Sequence, residues 1–589
     1  MKATNILSLL LLLATSLSSQ SNINQSLSVN SSGAAPDASA QLDVSATDKG
    51  MLMPRMTTTQ RVAIAAPATG LIVYDTSTGS FWVYTGTAWR SLSGLLADAD
   101  NDTKIQVEEL PDEDIIRFDL AGTEHLVLRR NANNQARLEF PANGANTFIG
   151  ANTGSANAGG QGNTFAGVDA GMANTTGNGN SYFGSIAGKA STTGGRNSFF
   201  GSSAGAAANT SNDNSFFGFS AGAAITSSSS NSFFGSFAGA SNTSGSSNSF
   251  FGYNCGTANT LGFANSFFGN NSGLTNIDGE YNSFFGNNTG QANTTGSDNS
   301  FFGFSCGLFN TANRNSFFGS NAGILNSSGT KNAFFGAFAG RSNSTAANNA
   351  FFGAFCGFSN TTGTQNSFFG SDAGESNTTA NDNAFFGWNA GNLNTTGSQN
   401  SFFGSGSGDS NTMGFNNAFF GRGTGGANTT GAQNSFFGSN TGFNNTTASN
   451  NAFFGFNCGF ANTTGTQNSF FGSGAGEDNT TGGNNSFFGH HAGFATTTGI
   501  QNSIFGAGAG DTNVDGDGNS FFGYNSGSVN NNGNNNTFIG VEAGNSNTSG
   551  SFNVGIGRLA LEANTTGSQN TAIGYNSDVT VGNLINGVV

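Results

Sequence analysis

The stretch Asn366-Ser-Phe-Phe-Gly-Ser-Asp-Ala-Gly-Glu-Ser-Asn-Thr-Thr-Ala-Asn-Asp-Asn-Ala-Phe-Phe-Gly387 states nearly the same five-residue phrase twice, 17 residues apart. Ser-Phe-Phe and Ala-Phe-Phe are short runs of high strand propensity. The Gly closing each run ends or bends the strand, since Gly takes positive φ at little cost. One unit earlier, Asn360-Thr-Thr-Gly363 reads as a turn, with Asn bonded to its own backbone and Gly in the left-handed position. Nothing in the unit has helical spacing. A unit this small buries nothing alone, so neighbours must stack.

Working outward, the anchor Gly recurs every 17 residues from Gly150 to Gly303, and again from Gly319 to Gly574, with one 16-residue step between the two series. The missing residue falls in Asn310-Thr-Ala-Asn-Arg-Asn315, a turn by this reading, where a deletion flips no strand side chain. The slot three after the anchor is small (Ala204, Ala221, Ala238, Ala373), which predicts close approach to another backbone. All four cysteines, Cys255, Cys306, Cys356 and Cys458, occupy it, three or more units apart and beyond disulfide reach within one chain. Buried thiols are expected there, with bridges between chains as the alternative. A second period also runs through the array: Gln365, Gln399, Gln433, Gln467 and Gln501 recur every 34 residues. Ser371, Ser405, Ser439 and Ser473 likewise alternate with Trp388, Arg422, Phe456 and His490. If one turn spans the longer period, Gln stacks on Gln as a ladder; if it spans the shorter, the surface alternates level by level.

The expected fold is therefore all-β: a repetitive β-solenoid or β-roll of 17-residue units with a 34-residue super-repeat, preceded by a small β-rich N-terminal region. Adjacent strand residues point to opposite sides. In each pair, such as Phe368 and Phe369, Phe402 and Phe403, or Phe436 and Phe437, one ring is expected in the core and one outside. An outward stripe of some twenty Phe far exceeds what a monomer exposes. Self-association follows, most plausibly three chains around one axis or a filament; the competing reading is a flattened solenoid with both rings inward.

The rest of the chain sets compartment and class. Lys2 followed by Ile6–Ala14 and a small polar flank reads as a secretory signal peptide over residues 1–20. No segment supplies the ~20 apolar residues of a membrane span. Residues 22–95 read as a β-rich head, with strands at Gly70–Asp75 and Phe81–Tyr84 around the turn Thr76–Gly79. Residues 96–145 form a connecting β segment with strands at Ile115–Leu120 and His125–Leu128, the array covers 146–577, and 578–589 is a truncated or cleaved end. Only 8% of residues are charged, yet 60 Phe argue against disorder. A net charge of −15 disfavours nucleic acid.

No recurring Ser-His-Asp, Cys-His or paired-carboxylate arrangement points to an enzyme. His490 and His491 are expected to diverge as adjacent strand residues and so to ligate no metal. Asp98, Asp100 and Asp102 are spaced as in calcium loops but lack the Gly and distal Glu of an EF-hand, so calcium is a weak candidate and a solvated linker the expectation. No other cofactor is expected. The Asn-Thr-Thr turns are formal glycosylation acceptors that turn chemistry already explains.

Units such as Asn536-Thr-Phe-Ile-Gly540 and Gln569-Asn-Thr-Ala-Ile-Gly-Tyr-Asn-Ser577 resemble the head repeats of trimeric autotransporter adhesins, which build a trimeric parallel β-roll. Leu42-Asp-Val-Ser45, Gly50-Met-Leu-Met-Pro-Arg-Met-Thr-Thr-Thr-Gln-Arg61 and Tyr84-Thr-Gly-Thr-Ala-Trp89 are similar to the start of tail-fibre-like bacterial surface proteins. The Phe-Phe pair and the 17-residue unit depart from the adhesins' shorter repeat. The resemblance implies a homotrimeric fibre, secreted or on the surface of a Gram-negative-type bacterium, adhering to a surface glycan or host-cell receptor. The expected function is an exported, adhesive, self-associating structural fibre. The alternatives are an ice- or glycan-binding solenoid and a phage-like host-binding tail fibre.

Overall fold

The computed structural model describes residues 26–92, 102–107, 115–130, 136–139, 146–579 and 583–589. The signal peptide assigned to residues 1–20 lies outside them, as do Asp98 and Asp100. The chain divides into two compact units, Met1–Ala142 and Asn143–Val589. Among the described residues no helix is long and apolar enough to cross a membrane.

In the first unit, β1 (Leu27–Asn30) pairs in parallel with β2 (Leu42–Ser45). A four-stranded sheet in the order β3-β4-β5-β6 joins β3 (Arg55–Met56), β4 (Ile72–Asp75), β5 (Ser80–Tyr84) and β6 (Trp89–Ser91). The predicted hairpin is β4–β5, antiparallel about the turn at Thr76–Gly79. The segment before it holds a one-turn helix absent from the sequence reading, α1 (Thr58–Val62), started by a capping box between Thr57 and Gln60. Its Arg61 donates to the buried Asp75 carboxylate at 2.9 Å, with the guanidinium 3.7 Å above the Trp82 ring. Burial pushes the Asp75 carboxyl up, but hydrogen bonds from Arg61, Thr58 and the Ser77 and Thr78 backbone outweigh it and hold it below the usual carboxylate range. A depressed carboxyl stabilises the fold above its unfolded pKa of about 3.9, and that contribution is lost as pH falls through the lower folded value. Acid titration followed by near-ultraviolet circular dichroism is expected to show a step below about pH 4, absent in Asp75→Asn. Four antiparallel strands, β7 (Lys104–Val107), β8 (Ile115–Leu120), β9 (Thr123–Arg130) and β10 (Ala136–Glu139), complete this unit.

The second unit is one 26-stranded parallel sheet coiled into a solenoid, from β11 (Thr147–Ile149) to β36 (Thr571–Ile573), in sequence order throughout. Each strand pairs with the next one along the chain, Ser367 with Ala384 and Phe368 with Phe385. Partners such as Asn366 and Asn383 are 17 residues apart, so one turn of the solenoid is one repeat unit. At ~4.8 Å per strand the stack runs about 120 Å. The 16-residue turn keeps this register: Phe301 lies over Phe317 and Phe302 over Phe318. Residues Leu584–Val589 bond onto the last strand and carry the stack past residue 577, Val589 N–H donating to the Thr571 carbonyl at 2.8 Å.

Four side-chain columns fill the interior, one of them the small slot three after the anchor, as at Cys356, Ala373 and Ala390. The first Phe of each pair is fully buried, and its ring stacks on the next at 4.6–4.9 Å, as for Phe368 over Phe385 and Phe385 over Phe402. Two more are asparagine ladders. Before each strand, Asn366 and its equivalents donate Nδ2–H to a carbonyl 14 residues on, while Oδ1 accepts the backbone N–H of the next turn's Asn. Beside it, at the turn whose carbonyl both columns share, Asn377 donates to Asn360 Oδ1 at 2.7 Å and Asn394 to Asn377 Oδ1 at 3.0 Å. Both columns are unexposed, so the Asn-Thr-Thr sequences carry buried amides rather than accessible glycosylation acceptors. The corner ladder is directional, and where it is interrupted the last acceptor is orphaned. Asn174 Oδ1 faces the turn of Ser191, Asn479 Oδ1 that of Thr496, and Asn293 Oδ1 the shortened turn at Asn310. Asn394→Ala would strand Asn377 Oδ1 in the same way, at about 1–3 kcal/mol, while Asn411 Nδ2 loses one of its two bonds and keeps the Gly414 carbonyl. Faster amide exchange confined to the neighbouring turns is the expected readout.

The left-handed positions differ from the sequence reading. The Gly of Asn-Thr-Thr-Gly has no positive φ; a Cβ built on Gly363 would lie 2.3 Å from the Ala380 carbonyl oxygen, yet the same slot holds Ala346, Ala380 and Ala448 in other turns, so the backbone there shifts to admit a methyl group. The positive φ falls two residues later, on Gln365 at 61° and Gln399 at 63°.

Candidate functional site

Within each strand the middle residue faces the core, and the residues before and after it face outward. From β13 (Ser181–Phe183) to β33 (Ser520–Phe522) the outer surface of the sheet therefore has two columns, one Ser or Ala and one Phe. It carries no charged side chain over these 21 strands. Phe369, Phe403 and Phe437 belong to the outer column, and Phe368, Phe402 and Phe436 to the core. Both rings turned inward, the competing expectation, would need room that the stacked core rings already fill.

The outer rings are half-buried because they cover one another. Phe369 stacks on Phe386 at 4.6 Å with 7° between planes, and Phe403 on Phe420 at 4.7 Å and 5°. Only Phe183, Phe217 and Phe522 in this column reach 36–39% exposure. Stacking has a chemical consequence. Every ring spends its two faces on its neighbours and presents only its C–H edge to solvent. A sugar, which packs against an open aromatic face, finds none on this ridge.

The other predicted residues lie elsewhere. Gln365, Gln399, Gln433, Gln467 and Gln501 are exposed and sit on alternate turns, separated by Asp382, Asn416, Asn450 and Asn484. They form no Gln ladder, because one turn is a single repeat unit and the Gln recur only every second one. Their backbone N–H groups bond the previous turn, as Gln399 does to the Asn381 carbonyl at 3.0 Å.

Cys255, Cys306, Cys356 and Cys458 are unexposed, and their Sγ–H groups donate to strand carbonyls of Phe267, Phe317, Phe368 and Phe470 at 3.2–3.3 Å. Burial pushes each thiol up, Cys458 to about 12, which removes the thiolate that exchange chemistry needs. This position leaves no route to bridges between chains. A thiol-reactive chromophore is expected to label none of them in the native protein and all four in denaturant.

Of the acidic triplet only Asp102 is described; its carbonyl accepts from Gly122 at 2.7 Å and its Oδ1 from Thr103 at 3.3 Å. Among the described residues no group of three His, Cys, Asp or Glu side chains could hold a metal. His490 and His491 do not diverge as expected. They follow the anchor Gly489 in a turn rather than a strand, His491 has φ 56°, and their rings stack at 4.0 Å.

The buried Asn columns were the interior feature missed in the sequence. Their signal was present, an Asn at two fixed slots of nearly every unit, but Asn is common in turns and its burial depends on the turn above.

Against known families, residues 28–106 match the phage tail like trimerisation region. No curated protein and no solved structure matches the chain. A segment that matches a trimerisation family, followed by a long parallel β-solenoid, supports a fibre-like structural protein that forms homo-oligomers.

Proposed function

We propose that the chain is an exported, adhesive fibre in which three copies, joined through residues 28–106, run their solenoids side by side along the outer phenylalanine ridge. The observation that carries the reading is the ridge itself: 21 stacked rings beside a Ser/Ala column, without a charge, on a chain whose N-terminal segment matches a trimerisation family. Burying the half of each ring still in water contributes roughly 1 kcal/mol per turn. Because the turns are identical in rise, the contribution repeats along the whole length. Export is supported by the signal-like leader, and a structural rather than catalytic role by the repetition of one packing unit. The glycan- or ice-binding alternative has less support on this surface: the ridge shows edges, and the first Thr of most Thr-Thr pairs donates its hydroxyl to the next turn, as Thr378 does to the Thr395 carbonyl at 3.0 Å.

Mass photometry of the full-length secreted protein is expected to give three times the 59.7 kDa of one chain, less any cleaved leader. A monomeric mass at micromolar concentration would sink the proposal.

A further inference from the structure

The second residue after the anchor Gly is itself Gly in isolated turns, at Gly474 and Gly508, and at one place in two turns running. The second residue after the anchor Gly carries a side chain in most turns, Asn389 before the break and Asn440 after it, but is Gly406 and then Gly423 in the two consecutive turns between. Three residues further along each turn, Asp409 is followed by Gly426. The lost side chains cut a cleft of about 320 Å3 into the solenoid surface, bounded by Trp388 at one end and Phe443 at the other. That volume is at the lower end for small-molecule sites.

The cleft is chemically equipped. Trp388 is 59% exposed, and the turns on either side place only Ser371 and Ser405 beside it, so no ring covers its face. Arg422 stands two turns from Trp388, about 9.6 Å along the stack. Lys189, Arg196 and Arg314 pair with carboxylates, and Arg341 and Arg558 lie over aromatic rings. Arg422 does neither. Asp409 lines the same cleft, half-buried, which raises its carboxyl above the ordinary range. Among the described residues neither group has a hydrogen-bond or ion-pair partner, although their charges are opposite. The hydroxyls of Ser405 and Ser410 complete the lining.

We infer that this cleft is a binding site for a neutral pyranose, stacked on Trp388 with a vicinal diol bridging Asp409 and Arg422. One sugar hydroxyl donates to the carboxylate and its neighbour accepts from the guanidinium, satisfying both groups. Trp388 and Arg422 stand two turns apart, and the turn of Gly406 and Asp409 lies between them, so the indole face and both polar groups border the same opening. The site is separate from the ridge, and nothing in it depends on the number of chains.

The test titrates the full-length protein with methyl glycosides of glucose, galactose, mannose and N-acetylglucosamine, read by saturation-transfer NMR and by tryptophan fluorescence. At least one is expected to bind saturably with a dissociation constant of about 1 mM or tighter. Trp388→Ala and Asp409→Ala are expected to weaken it at least tenfold. Gly406→Asn is the sharpest variant. A Cβ there meets nothing within 4 Å, and Asn already occupies this slot at φ 54° in Asn389 and φ 53° in Asn440. It should fill the cleft and abolish binding, with circular dichroism and mass unchanged. Ala354→Asn, in the Trp388 column two turns earlier, should leave binding intact. The inference is overturned if no glycoside binds saturably, if binding survives Gly406→Asn, or if a zwitterion such as free glycine binds in preference to every sugar. Trimer mass is measured on the same samples, so loss of sugar binding and loss of association are read independently.

Discussion

Glutamate at four consecutive ridge positions, Phe369, Phe386, Phe403 and Phe420, is expected to part the solenoids without unfolding them. Micrographs of the unaltered protein should show a single rod. Those of the variant should show three thinner rods parted over the altered turns and still joined at the segment 28–106 that matches the trimerisation region. The physical basis is the position of these rings outside the core, stacked at 4.6–4.7 Å on each other and not on any other part of their own chain. Removing them leaves the inner column Phe368, Phe385, Phe402 and Phe419 intact. Four carboxylates per chain, brought together from three chains, would repel in a contact that excludes water. Unchanged far-ultraviolet circular dichroism is the control for folding, and an exposed-surface dye should bind more. If the unaltered protein already shows parted rods, the ridge is not the contact.

The second large effect belongs to the interior. Gly370→Ala is expected to break the stack at one level. The anchor glycine has φ 143°, and a Cβ there would stand 2.2 Å from the carbonyl oxygen of Gly387 in the next turn. No rotamer relieves this clash, since both partners are backbone. Positive-φ strain and overpacking each cost about 1–3 kcal/mol, so roughly 2–6 kcal/mol falls on one interface between turns. In a solenoid each turn touches only its neighbours, so the loss is not shared along the chain. Chemical denaturation should change from one cooperative step to two, with amide exchange fastest around residue 370. Gly374→Ala offers an independent check: its Cβ would meet the Phe368 ring at 2.5 Å, forcing that ring out of the column. A variant that melts as the unaltered protein does would show that the turns give more than this packing implies.

The two effects separate the roles of adjacent residues that composition treats alike. Phe368 and Phe369 have the same chemistry and opposite tasks, one in the core and one on the surface, because a strand alternates sides. That distinction was legible from Phe-Phe alone. The cleft was not. Gly406, Gly423 and Gly426 are unremarkable in a chain with 91 Gly, and become a feature only when the turn length places them above one another.

The sequence by itself determined the all-β class, the repeat and the tolerated shorter turn, and made the inside-outside division of the paired rings the leading expectation that the structure then decided. All of these follow from periodicity and from the alternation of a single strand, which are local properties. Only the tertiary structure decided that a turn is one repeat unit rather than two, since both satisfy the same periodicity and the choice depends on which strand bonds to which. That choice dissolved the Gln ladder by setting Gln365 and Gln399 two turns apart, and it assembled the buried Asn columns. It also fixed what each glycine must avoid. The clash that forbids a side chain at the anchor Gly370 comes from the turn stacked upon it, a full repeat away along the chain and one strand spacing away in space.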